Sequence, residues 1–314
     1  MKPGQPSRTA EYMAFFRACE SVRPEGRRLF VDPFAAHFVR PSLRAAAWLS
    51  RIRLLGGVVD WIADRRLPGA RTSAIARTRL IDEALSRALR ENLRQIVILG
   101  AGFDCRAYRL PGIQAAEVFE VDHPCTLAWK LARLRQALAT VPGNVRFVEM
   151  DFDRQSLPRM LAEAGFDSAL PAMFLWEGVT NYLSFGAVDS VLRYVSSCPA
   201  GSQLIFTYVH AGVLDGSVHF DGGAEIVRDV AHLGEPWTFG LDPAAVPEFL
   251  RERGLLLDRD AGAREYRSQY YGTAGRNMKG YDFYHVVLAH VPANESSTAC
   301  ASAQESGTRG RLHA

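Results

Sequence analysis

Between residues 95 and 208 the chain alternates short apolar runs with stretches that suit a helix, and this alternation constrains the fold most. Gln95–Leu99, Glu117–Val121, Val145–Met150, Ala172–Trp176 and Gln203–Tyr208 read as strands. Between them, His123–Thr140 opens on Pro124 at a first-turn position. Ser156–Ala164 and Phe185–Ser197 follow, the latter behind Ser184 as N-cap. Strand and helix in turn predict a parallel sheet covered by helices on both faces. Leu255–Asp258 and Phe283–Val291 add two closing strands. The expected architecture is a seven-stranded, mostly parallel sheet with one antiparallel strand at its edge.

The flanks differ in character. Residues 1–92 read as a helical cap, with Thr9–Val22 carrying Tyr12, Met13, Phe15 and Phe16, and a short segment starting at Pro33-Phe34. Ser73–Asn92 is the clearest helix, since Leu80, Ile81, Ala84, Leu85, Ala88 and Leu89 form one stripe. Residues 93–292 read as the α/β core. Inside it, 210–241 is rich in Gly, Asp and His without a strong period, and reads as a lid insertion. Asp242-Pro243 restarts a helix that ends at Gly254. Residues 293–314 are small and polar and are expected to be disordered.

Composition excludes several functions. Apolar residues at 48% and charged residues at 23% suit a packed soluble chain. A net charge of +3 lacks the basic excess of a nucleic-acid binder. The five cysteines (Cys19, Cys105, Cys125, Cys198, Cys300) form no C-x-x-C pair, so neither a metal site nor a disulfide framework is expected. The first eight residues lack the apolar stretch of a signal peptide. The longest apolar candidate, Ala45–Ile62, is broken by Arg51, Arg53 and Asp60 and is too interrupted to span a membrane. A cytoplasmic protein with no membrane partner is expected. Arg51, Arg53, Arg65 and Arg66 read as a solvated helix face.

The chemistry gathers at the strand ends, where open parallel sheets bind ligands. The first strand runs into Gly100-Ala101-Gly102-Phe103-Asp104. A dinucleotide loop needs a third glycine at position 105, but Cys105 stands there and Asp104 would repel a pyrophosphate. The loop therefore favours a ligand without phosphates over a nicotinamide cofactor. About twenty residues on, Asp122 or Glu120 could hold ribose hydroxyls. Asp151-Phe152 after the third strand could grip an adenine, the carboxylate on its amine and the ring against its face. Glu177 after the fourth strand is costly to bury alone, and a ligand ammonium would partner it.

In this order, V-I-L-G-A-G-F-D-C-R-A-Y-R-L, F-E-V-D-H-P, E-M-D-F and W-E-G-V-T-N-Y-L resemble the leucine carboxyl methyltransferase superfamily. A-R-T-R-L-I-D upstream and Gly234–Leu241 downstream add to the likeness, which covers roughly Tyr12 to Val291. The closer match is the bacterial branch of S-adenosylmethionine-dependent O-methyltransferases, of the tetracenomycin polyketide type. The resemblance implies a class I methyltransferase, Rossmann-like fold. It implies Arg77 on the methionine carboxylate, Gly100, Ala101 and Gly102 as the glycine loop, flanked by Asp104, and Asp122 on the ribose. Asp151 and Phe152 fall beside the adenine, and Glu177 matches the family's strand-four glutamate.

The expected function is transfer of a methyl group from S-adenosyl-L-methionine to a carboxyl or hydroxyl of a small molecule, such as a polyketide. Two other readings compete with it, a non-catalytic S-adenosylmethionine binder and a nicotinamide-dependent oxidoreductase. A hydroxyl acceptor needs a base, for which Tyr208, His210 and His123 are candidates. Tyr266, Tyr270, Tyr271, Tyr281 and Tyr284 suit either strand packing or an aromatic acceptor pocket, and Trp237 either a lid or the core.

Overall fold

The computed structural model describes residues 8–152 and 154–293. The expected tail falls outside them, apart from Ala293. The strands are β1 (Gln95–Leu99), β2 (Glu117–Asp122), β3 (Val145–Glu149), β4 (Met173–Trp176), β5 (Gln203–Val209), β6 (Leu256–Gly262) and β7 (Tyr284–His290). They form one seven-stranded sheet in the order β3-β2-β1-β4-β5-β7-β6. The first five pair in parallel. β7 runs antiparallel between β5 and β6. The antiparallel strand is thus one place in from the edge, not at it, and β6 closes that side. β6 also runs four residues past the expected Asp258, because polar Arg259 and Asp260 still find ladder partners on β7.

The helices, in chain order, are α1 (Arg8–Ser21), α2 (Pro41–Leu49), α3 (Arg53–Arg66), α4 (Ala70–Arg90), α5 (Arg106–Arg109), α6 (Pro124–Ala137) and α7 (Leu157–Glu163). Next come α8 (Phe185–Ser196), α9 (Ala211–Asp215), α10 (Gly223–His232), α11 (Val246–Arg251), α12 (Ala263–Tyr271) and α13 (Thr273–Arg276). Ser184 caps α8 as its sequence predicts, its hydroxyl accepting from the Ala187 amide.

Strand side chains alternate between two cores. Val97, Leu99, Phe119 and Phe174 face α7, α8 and α11 through Leu161, Leu192 and Leu250. Ile96, Ile98, Val118 and Leu175 face the stripe of α4 through Ile81 and Leu85. A third core joins the N-terminal segment to the sheet, with Phe38 stacked on Phe103 at 5.3 Å. The start of α4 is fixed by a close backbone approach. Gly69 has φ +79°, and a side chain there would meet the Lys279 carbonyl oxygen at 2.4 Å.

Some elements escape sequence reading. The whole of α3 carries no buried residue, so its pattern points to no single core. α12 reads AREYRSQYY and is held by Arg267, which is fully buried and donates to Ser73 Oγ and Asp282 Oδ1. Tyr266, Tyr270 and Tyr271 lie on this helix rather than on a strand. Among the described residues, no helix is long and apolar enough to cross a membrane.

Candidate active site

A cavity of about 560 Å3 opens at the carboxyl ends of β1 to β4. One wall is built from those ends: Gly100, Ala101 and Gly102, then Asp104, Asp122, Asp151, Phe152 and Glu177. The opposite wall comes from Met13 and Arg17 of α1, Arg77 of α4, and Ile226 and Val230 of α10. Trp237, Thr238, Tyr182, Tyr281 and Tyr284 complete it. The nine residues expected around a cofactor therefore share one cavity.

The glycine loop needs its glycines. Gly100 has φ +64°, and a Cβ there would meet Val179 Cγ2 at 2.4 Å. The Gly102 amide donates to Asp122 Oδ2 at 2.6 Å, and the His123 amide donates to Asp122 Oδ1 at 2.6 Å. Burial pushes the Asp122 carboxyl up, and these two amides oppose the shift. Glu120, the other ribose candidate, is fully buried and paired with Lys130 at 2.8 Å. It does not line the cavity.

Glu177 has partners within the protein. Its Oε1 accepts from Arg77 Nε and its Oε2 from Arg106 Nη1, both at 2.7 Å. Burial alone would raise the Glu177 carboxyl, but the two guanidiniums outweigh it and hold it at about 2. Arg77 also lies over the Tyr284 ring, 4.6 Å from its centroid. The residues expected to hold the two charged ends of a methionine moiety thus hold each other.

The ion pairs continue in alternation. Arg106 also binds Asp104 and Asp82, Arg109 binds Asp82 and Asp32, and Arg17 binds Asp32 at 3.0 Å. Four arginines meet four carboxylates, so the cluster is neutral. Sequence reasoning missed Arg17, Arg106, Arg109 and Asp82. Arg106 and Arg109 stand three apart just after the glycine loop, which puts both on one side of a helical turn. That spacing was the available signal.

Two candidate bases lie elsewhere. Tyr208 is fully buried within β5 and donates to Asp260 Oδ2 of β6 at 2.6 Å. His210 caps α9, its Nδ1 accepting from the Gly212 amide at 3.0 Å. Neither lines the cavity. Both belong to the β5 end, where pairing with β7 and the turn into α9 direct their side chains into local contacts. His123 does line the cavity, beside Asp122, with Nδ1 accepting from the Cys125 amide at 3.3 Å.

The wall opposite the glycine loop is largely aromatic. Burial pushes the Tyr182 phenol up to about 12 and raises Tyr281 as well. Tyr281 holds φ +59°, an uncommon conformation for a bulky residue, and packs on Phe283 at 5.0 Å. Trp237 packs on the same Phe283 ring at 5.9 Å. Asn181 lines the cavity with its Oδ1 buried and without a hydrogen-bond partner.

The family model for leucine carboxyl methyltransferase matches residues 10–196. A Streptomyces coelicolor relative is 33% identical over 256 residues, covering 80% of this chain and 87% of its own. One from Frankia alni is 35% identical over 259 residues, with coverages of 80% and 87%. Both bear the name "Putative S-adenosyl-L-methionine-dependent methyltransferase". Among solved structures, a Thermobifida fusca protein described as a "putative methyltransferase" superposes with a TM-score of 0.59 at 19% identity, over 93% of this chain and 97% of its own. That likeness bears on the fold. The chain belongs to the leucine carboxyl methyltransferase family and is an S-adenosyl-L-methionine-dependent methyltransferase.

Proposed function

We propose that the protein methylates a carboxylate oxygen of a small organic acid. The observation that carries this reading is the chemistry of the acceptor wall. Its partly buried phenols, Tyr182 and Tyr281, have raised pKa values and are suited to donate hydrogen bonds at neutral pH rather than to act as bases. Of the three candidate bases, Tyr208 and His210 stand outside the cavity and His123 alone lines it. A carboxylate is nucleophilic without proton removal, whereas an alcohol or phenol needs a base. The family's description also names a carboxyl acceptor.

When bound, S-adenosylmethionine supplies a methyl group on a sulfonium, activated for in-line displacement. The residues present fit it. Gly100 and Gly102 give backbone close approach, and Asp104, Asp122 and Asp151 would disfavour a phosphate-bearing ligand. Asp122 would take the ribose hydroxyls, with Asp151 and Phe152 along the adenine. Arg77 and Glu177 would take the carboxylate and ammonium, and the unpartnered Asn181 Oδ1 offers a further acceptor. The remaining work of the chain is alignment and exclusion of water, which Tyr281, Trp237 and Phe283 serve by their mutual packing.

The test uses methyl-labelled S-adenosylmethionine with a panel of carboxylic acids and phenols. Esters release volatile methanol in mild alkali, and ethers do not. Alkali-labile label is the expected result. Alkali-stable label moves the reading to hydroxyl acceptors, with His123 as the base within the cavity. Binding of S-adenosylmethionine without transfer to any acceptor rejects the carboxylate reading. Asp122→Ala should lose most of the calorimetric binding signal.

A further inference from the structure

The α2–α3 segment presents an apolar face that none of the other described residues covers. Trp48, Ile52, Leu54, Val58, Trp61 and Ile62 are all more than 40% exposed, Leu54 reaching 82%. On α3 the spacing 54, 58, 61, 62 makes one helical stripe. The other side of α3 already packs, through Val59 and Ala63, on the core beneath. Gly56 lets α3 close on α2, since a Cβ there would lie 2.8 Å from the Ser50 carbonyl oxygen. The outer stripe is therefore a second apolar face on a seated helix. Single exposed apolar residues are ordinary, but a contiguous patch of this kind marks a contact surface.

The charges select the partner. The two acids of α3 are both paired within the protein, Asp60 with Arg23 at 2.5 Å and Asp64 with Arg71 at 2.6 Å. Arg65 and Arg66 continue the stripe by one turn, and Arg51 and Arg53 precede it. Among the described residues, none of these four has a carboxylate partner, and Arg65 lies over the Trp61 ring at 5.5 Å. The face is thus apolar and cationic, and both acids of α3 are already paired with arginines. A second copy docked about a two-fold axis would set the same four arginines against themselves. An anionic bilayer suits the face better. Leu and Ile enter the acyl boundary, Trp sits at headgroup level, and Arg meets the phosphates.

We propose that the α2–α3 face seats the protein on an anionic phospholipid surface, lying in the interface plane. The interruptions at Arg51, Arg53 and Asp60 that exclude a span do not exclude this mode. The inference is independent of which acceptor is methylated.

The test is flotation of the full chain with vesicles of phosphatidylcholine alone, or with about a third phosphatidylglycerol, at low and high salt. Binding to the anionic vesicles, weakened by salt and accompanied by a blue shift of tryptophan emission, is expected. Arg51→Gln with Arg66→Gln should lower the partition coefficient about 25-fold, roughly fivefold for each cation. Leu54→Ser with Trp61→Ser should abolish binding. An unchanged S-adenosylmethionine affinity and thermal midpoint in both variants would show that they fold. No binding to anionic vesicles overturns the proposal, as does binding that survives both pairs of substitutions. A dimer dispersed by L54S/W61S, with no vesicle binding, assigns the face to a second copy and also overturns it.

Discussion

Glu177→Gln removes one negative charge from between two guanidiniums and keeps the shape of the side chain. The structure sets the size of the effect in two ways. First, a carboxyl moved from 4.5 to about 2 contributes about 3 kcal/mol of stability at neutral pH, at about 1.4 kcal/mol for each pH unit. Second, breaking a buried pair costs about 3–5 kcal/mol because a charge is stranded. Arg106 keeps Asp82 and Asp104, so only Arg77 is left without a carboxylate, and the lower end applies. The folded value lies below the unfolded one. The contribution is therefore full above pH 4.5 and is lost as the pH falls toward 2. At pH 3 about 1.4 kcal/mol remains. Urea unfolding of wild type and variant should give a gap of about 3 kcal/mol at pH 7, narrowing to about 1.5 at pH 3. A gap that is the same at both pH values, or below about 1 kcal/mol at pH 7, would refute the reasoning.

Gly100→Ala should destabilise by about 1–3 kcal/mol through its positive φ, and further through the contact with Val179. Adding Val179→Ala should recover the contact part alone, as read by urea unfolding. Tyr208→Phe loses the bond to Asp260 and should cost about 1 kcal/mol of stability while leaving the methyl-transfer rate unchanged. A large fall in rate at preserved stability would return Tyr208 to the catalytic machinery. Lys130→Met strands Glu120 at zero exposure and should cost about 3–5 kcal/mol, most of which Lys130→Met with Glu120→Leu should restore.

The parallel half of the sheet is legible because each of its strands carries a short apolar run and its strand ends carry the glycines and acids. Gln95–Leu99 is buried at every position, and such a run has few other places to go. The position of β7 was not legible. Alternation identifies a half-buried strand but says nothing about which neighbour it joins. The cap reads as helical throughout, but an individual helix is well delimited only where one apolar stripe dominates, as on α4. On α3, two apolar faces and no buried residue leave no single stripe to read. The cavity residues on strand ends were found because topology sends them to one place. Tyr208 and His210 lie outside the cavity because the end of β5 pairs with β7 and the following turn bonds to Phe283, which sequence proximity to a strand end does not reveal. Arg106 was missed because an arginine beside an acid reads as a surface pair. Its burial to 3% exposure appears only once α4 and the β4 end are packed against it.

The neutral ion-pair cluster explains why one cofactor class suits this site and another does not. Its carboxylates and guanidiniums are already satisfied, so a ligand must replace the pairs that it opens. An amino-acid end carries one ammonium and one carboxylate. It could separate Arg77 from Glu177 and re-pair both with no change in net charge. A pyrophosphate would bring two negative charges against Asp104 and Glu177 and re-pair only the arginines. The same cluster reaches the cap, where Arg17 of α1 donates to the Phe103 carbonyl oxygen in the glycine loop at 2.6 Å while it binds Asp32. Arg17 in turn lines the cavity. Any shift of the glycine loop on binding is therefore passed to α1 through a bond between a guanidinium and the loop backbone, and the packing of α1 in turn sets where Gly102 meets Asp122. The cap therefore holds the glycine loop as well as forming part of the opposite wall of the cavity. Arg17→Met should then weaken S-adenosylmethionine binding by about tenfold, the effect of losing one charged hydrogen bond of about 1.5 kcal/mol. Calorimetric affinity equal to wild type would confine α1 to the acceptor side.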